Sequence, residues 1–153
     1  MMNHFPIFIN MREKLVIVSG AGETAVAKLR LLLKTPAHIK VFGSEPTADI
    51  EAWASVGKLA LVRRSLATSD ITGAQLVYAA NDDHIEDRRV ADISKKQNVL
   101  CNVVDNIKDS VFITPAMVDR SPVVVAIGTE GSAPMLARKI KASVERLLPM
   151  STG

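Results

Sequence analysis

One cysteine, Cys101, stands among the 153 residues, so the chain can form no intramolecular disulfide and build no thiolate cage for a metal. It falls in the apolar run NVLCNVV, where a buried, inert thiol is the expected state. The three histidines, His4, His38 and His84, have no ligand spacing, and no metal site is read. Aromatic residues are scarce, with four Phe, one Trp and one Tyr, which leaves few platforms for stacking bases. A formal charge of +3 adds too little to suggest nucleic acid, yet suits an anionic ligand. No apolar stretch approaches the roughly 18 residues of a membrane span. The opening MMNHFPIFINMREK acquires Arg12, Glu13 and Lys14 too early for a signal peptide. A soluble, cytoplasmic protein without nucleic-acid or membrane partners is expected.

What is present points to an ordinary globular domain, with 48% hydrophobic and 23% charged residues. Strand and helix patterns alternate. KLVIVS (14–19), IKVF (39–42), LALV (59–62), QLVYAA (75–80), VLCNVV (99–104) and VVVAI (123–127) read as strands. Helices are expected over 24–34, from a Thr47 cap through Trp53, over 83–97 with Ile85, Val90 and Ile93 inward, and over 132–148. Residues 65–73 read as turns. Strands that are almost wholly apolar and separated by helices imply a parallel sheet covered on both faces, the doubly wound, Rossmann-like α/β class. Ligands of such folds sit beyond the carboxyl ends of the strands. The search for a site therefore narrows to SGAGET, GSEP, ANDD, VVDN and GTEGSAP.

Gly20-Ala21-Gly22-Glu23-Thr24-Ala25 fits G-x-G-x-x-A after a strand and at the start of a helix. In that motif the first glycine allows a tight turn and the second lets backbone approach a pyrophosphate. Ala25 permits close helix–strand packing, and the helix N-terminus offers N–H donors. The second strand ends without the usual ribose-binding carboxylate in place. Glu45 lies slightly beyond it, with Ser44 as an alternative. No Arg is present there for a 2′-phosphate, which favours NAD, although Lys40 leaves NADP open. Asn81 and Asp82 are placed to line the same pocket, and Asp83 to cap a helix. Asp105, directly after the fifth strand, is either a general base facing the crevice or the cap of a turn.

The segments PIFINMREKLVIVSGAGETAVAKLRLLL, YAANDD and LCNVVDNIKDSVFITPAMVDRSPVVVAIGTEGSAPMLARKIK resemble the precorrin-2 dehydrogenase domain of siroheme synthases. The likeness runs from about Phe5 to Pro149. It implies NAD-dependent oxidation of precorrin-2 to sirohydrochlorin, in some members followed by insertion of Fe²⁺. By resemblance Asp105 is the catalytic carboxylate, and Asn102, Thr114, Arg120, Thr129, Ser132 and Arg138 bind the tetrapyrrole. Since that substrate carries eight carboxylates, Arg88, Arg89 and Lys139 join Arg120 and Arg138 as a candidate basic rim. Glu130 departs from the small residues expected in its loop.

The resemblance also divides the chain into a cofactor-binding part, 1–113, and the start of a dimerisation and substrate segment, 114–153. Family members continue past LLP into a helical region. A natural short form and a truncated chain are both compatible with an end at Gly153. Met135, Leu136, Ile140, Val144, Leu147 and Leu148 give the last helix an apolar face, and homodimerisation is expected. A non-catalytic nucleotide-sensing module and a folded but inactive domain are the competing readings.

Overall fold

The structure is a computed structural model describing residues 1–150; the end of the expected 114–153 segment lies outside the described residues. Two compact units are present, one of residues 7–112 and one of residues 1–6 with the chain from 113 onward.

The larger unit contains five parallel strands: β1 (Leu15–Ser19), β2 (His38–Phe42), β3 (Ala60–Val62), β4 (Ala74–Ala79) and β5 (Leu100–Val103). Their spatial order is β3-β2-β1-β4-β5, with β1 paired in parallel to both β2 and β4. The doubly wound expectation is met, since chain order reverses at β1. Side-chain alternation explains why the strands are so uniformly apolar. Val16 and Val18 enter one core layer with Val41 and Tyr78, while Ile17 enters the other with Phe42, Val77 and Ala79. Each fully buried side chain of this size contributes about 1.5–3 kcal/mol.

Helix α1 (Glu23–Leu32) and helix α2 (Ala48–Ser55) cover the first layer, burying Ala25, Val26, Leu29, Leu32 and Ile50. Trp53 and the T-shaped pair Tyr78–Phe112, with centroids 5.5 Å apart, close its margins. Helix α3 (His84–Lys96) covers the second layer through Val90. Its cap is the expected Asp83, whose Oδ1 accepts from the N–H groups of Ile85 and Glu86 at 3.0 and 3.2 Å. Thr47 caps α2 as expected, its Oγ1 accepting from Ile50 N–H at 3.3 Å.

Three expectations change. Ile85 is 84% exposed rather than inward; it sits in the first turn of α3, where the helix has not yet come down onto the sheet. The turn-rich stretch 65–73 contains a 3₁₀ turn, Thr68–Ile71, that buries Ile71 in the core. VVVAI is not part of the parallel sheet. As β7 (Val123–Ile127) it pairs antiparallel with a strand the pattern did not reveal, β6 (Ala116–Arg120). In the smaller unit helix α4 (Pro134–Leu147) packs across these two strands.

Candidate functional site

The carboxyl ends of the parallel strands collect most of the expected residues. Gly20 has φ +117°, and a Cβ there would fall 2.0 Å from the Ala80 carbonyl oxygen. Its N–H donates to Phe42 O at 2.8 Å, and Ala80 N–H donates to Ser19 O at 2.7 Å. The turn is therefore wedged between the ends of β2 and β4, and only glycine fits. Ala21 is braced from the other side: its carbonyl accepts from Thr47 N–H at 3.0 Å, and a Cβ on Gly43 would stand 2.5 Å from its own Cβ.

Gly22 is different. Nothing lies within 4 Å of where its Cβ would be, and its φ of −93° is open to any residue. It is the N-cap of α1, and no side chain caps that helix. The first-turn amides of α1 thus face an open position with the positive end of the helix dipole behind them. This cradle fits a diphosphate. Glu23 occupies the first turn and is exposed, which favours the helix dipole but adds negative charge near the same position. Thr24 donates its hydroxyl to the carboxylate of Asp82, at 2.7 and 2.8 Å. Asp82 has φ +55°, a conformation its short side chain tolerates better than most.

Asn81 is tied inward, its Nδ2 donating to Ser19 Oγ at 3.0 Å and to Asp87 Oδ1 at 2.9 Å. Ser44 and Glu45 lie exposed beyond β2. Lys40 packs over the Phe42 ring at 5.6 Å, and its charge helps hold the Asp70 carboxyl below the usual range, after Arg64 and a backbone N–H.

Asp105 is exposed, with φ +61°. Its loop is fastened below: Ser110 Oγ donates to Val103 O at 3.0 Å, and Asn106 Nδ2 donates to Asp109 at 2.9 Å. Burial pushes the Lys28 ammonium of α1 down from its ordinary value, and the Asp105 charge opposes that shift. The Asp105 charge is thus felt at Lys28, on the helix that opens at Gly22. On β5 itself, Asn102 is 7% exposed. Its Nδ2 donates to Phe112 O at 2.9 Å, while its buried Oδ1 has no hydrogen-bond partner.

The basic rim is less open than expected. Arg89 is spent on Glu86 and on the Leu66 carbonyl, 2.6 Å away. Arg88 reaches Asp92 at 3.8 Å and Asp109 at 3.5 Å. It lines a cleft of about 350 Å³ with His84, Ile85, Asp87, Val103, Asn106 and Asp109, which does not include the glycine turn.

In the smaller unit, Thr129 Oγ1 donates to Ala133 O at 3.1 Å and Ser132 Oγ to Thr129 O at 3.0 Å. The loop is a closed turn leading to Pro134. Glu130 pairs with the His4 side chain and accepts from the N–H groups of Asn3 and His4, and these contacts hold its carboxyl low. Arg120 donates to Asp119 O at 3.1 Å, its buried Nε being unpartnered. Thr114 is half-buried, and Arg138 and Lys139 are exposed on α4.

Sequence reasoning missed Ser19, Lys28 and Asp87. Ser19 closes an apolar strand, and Asp87 reads as one charge among many in IEDRR, so neither carries a local signal of its own.

A parallel sheet with a glycine turn after its first strand defines a dinucleotide-binding fold. Residues 7–116 match a family model described as NAD(P)-binding, and the chain belongs to that family. The siroheme synthase of Pseudoalteromonas atlantica is 40% identical over 152 residues, covering 99% of this chain and 33% of the relative. That of Nitrosococcus oceani is 38% identical, covering 99% of this chain and 32% of the relative. The chain thus spans about a third of the length of these curated relatives. A solved structure of SirC, a precorrin-2 dehydrogenase, has the same fold, with a TM-score of 0.81 at 23% identity over 95% of this chain and 71% of that one. The resemblance seen in the sequence stands.

Proposed function

We propose that the chain is an NAD-dependent precorrin-2 dehydrogenase that yields sirohydrochlorin. The observation that carries this reading is the open, uncapped α1 terminus at Gly22. Bound there, the nicotinamide would supply the hydride acceptor that dehydrogenation requires. The amides of α1 hold the diphosphate, and Ala25, buried against β1, keeps the helix close. Ser44 and Glu45, exposed beyond β2, would hold the ribose, and Asn81 and Asp82, the latter tied to Thr24, would contribute further polar contacts to the cofactor.

Oxidation of a carbon–carbon single bond removes one hydride and one proton. Asp105, exposed after β5, receives the proton. By the family resemblance, Asn102 would accept from a pyrrole N–H and Arg120 would donate to a substrate carboxylate. Arg138, exposed on α4, would supply positive charge toward the acidic side chains of the tetrapyrrole, with Thr114, Thr129 and Ser132 as the remaining proposed substrate contacts. Insertion of Fe²⁺ as a second step would use Asp105 again, now taking pyrrole protons, with the iron as substrate. The segment from 114 onward serves substrate and a homodimer. Among the described residues no helix is long and apolar enough to cross a membrane.

Anaerobic incubation with precorrin-2 and NAD should produce the sirohydrochlorin absorbance, and later addition of Fe²⁺ reads the second step. Asp105→Asn should lower kcat at least a hundredfold, the scale of a lost general base. Turnover by that variant at the native rate would remove Asp105 from the mechanism. Tight NAD binding without tetrapyrrole oxidation would favour the nucleotide-sensing reading.

A further inference from the structure

We infer that Asp87 is a positioning residue that fixes which end of the Asn81 amide meets a bound nucleoside; this rests on the glycine turn being a nucleotide site. Asp87 lies on α3 and is only 8% exposed, an unusual place for a carboxylate. Its Oδ1 accepts two hydrogen bonds from one residue, from the Asn81 backbone N–H at 3.0 Å and from its Nδ2 at 2.9 Å.

The chemistry of the pair decides the geometry. An ionised carboxylate can only accept, so Asn81 must turn its NH₂ end, not its oxygen, toward Asp87. The second amide hydrogen goes to Ser19 Oγ, 3.0 Å away. Both donors of Asn81 are then committed within the protein, and Oδ1 alone remains for a ligand. Toward a nucleotide Asn81 is therefore an acceptor, suited to a ribose hydroxyl or a carboxamide NH₂ and unfavourable to a phosphate oxygen.

Position gives this preference its target. Ala80, just before Asn81, is the residue that Gly20 abuts, and Asp82, just after it, takes the Thr24 hydroxyl. The short segment 80–82 thus lies along the nucleotide turn, and Asp87 orients it from beneath without lining the turn itself.

The test is NAD affinity by calorimetry, beside steady-state kinetics and melting, for Asp87→Ala, Asp87→Asn and Ser19→Ala. Asp87→Ala should weaken NAD binding and raise its KM about tenfold, the scale of one lost buried hydrogen bond to a charged group, while kcat changes less than about twofold. Asp87→Asn keeps an acceptor oxygen and should return to within about twofold of the native values. Ser19→Ala, which leaves α3 intact, should weaken NAD about threefold and carries the test if Asp87→Ala does not fold. Unchanged NAD affinity in a folded Asp87→Ala or in Ser19→Ala overturns the inference and leaves the nucleotide site standing, as does an Asp87→Asn no better than Ala. A native protein that binds neither NAD nor NADP overturns the site itself, and this inference with it.

Discussion

Two glycines two residues apart do opposite work. Gly20 is needed by the fold, because a methyl group there would sit 2.0 Å from a backbone oxygen on a backbone already at φ +117°. Gly22 is free of both constraints, so the fold does not require a glycine there, and the proposed nucleotide site is what its bareness would serve. Gly20→Ala should destabilise by more than about 3 kcal/mol, through clash and left-handed strain together. Gly22→Ala should leave the melting temperature within about 2 °C of the native value and weaken NAD about tenfold; thermal melts and calorimetry on the two variants check the contrast. Equal loss of stability at both positions would contradict it. The glycine motif was legible because backbone needs leave a mark on residue choice. Asp87 was not, since its role comes from being folded beneath Asn81, and a charged residue in a charged helix carries no sign of burial.

Elements differ in how plainly they announce themselves. The parallel strands did so through unbroken apolar runs, as sandwiching between two helical layers requires. β6 did not: AMVDR is short, ends in two adjacent charges and lies between Pro115 and Pro122, so it reads as a connection. Its strand character comes from pairing with β7, a tertiary matter. α3 was located but misjudged at one end, because periodicity alone does not tell which turn first touches the sheet. β5 illustrates what enclosure does to chemistry. Burial pushes the Cys101 thiol up to about 11, with Ser94 opposing and Asp87 adding to the shift. The native protein should therefore resist iodoacetamide at pH 8 and react promptly once unfolded, as mass spectrometry of the labelled peptide would reveal. Since the folded value lies above the unfolded one near 9, this thiol's contribution to stability is complete below about pH 9 and is lost between there and about 11. A denaturation series across that interval should fall in slope for the native chain and flatten for Cys101→Ala.

At the scale of the whole molecule, the two units carry different kinds of surface. The unit of residues 7–112 buries its core in two apolar layers, one on each face of the sheet. The smaller one leaves Met135, Leu136, Ile140 and Leu147 on α4 exposed, at 65, 51, 37 and 80%, more than a lone unit of its size would normally show to water. That stripe is the reason a homodimer is proposed. Sedimentation equilibrium should give twice the chain mass, and Leu136→Glu with Ile140→Glu should shift it to the monomer without lowering the melting temperature of the larger unit. A native monomer at tens of micromolar would reject the dimer.

Trp53 and Tyr78 are the sole tryptophan and tyrosine of the chain, and both are set in the layer beside α1 and α2. Fluorescence excited near 295 nm will consequently report on residues 7–112 alone and stay silent about the hairpin and α4. Any melting curve recorded that way describes one unit, and following the other will take an amide-based probe or an introduced fluorophore.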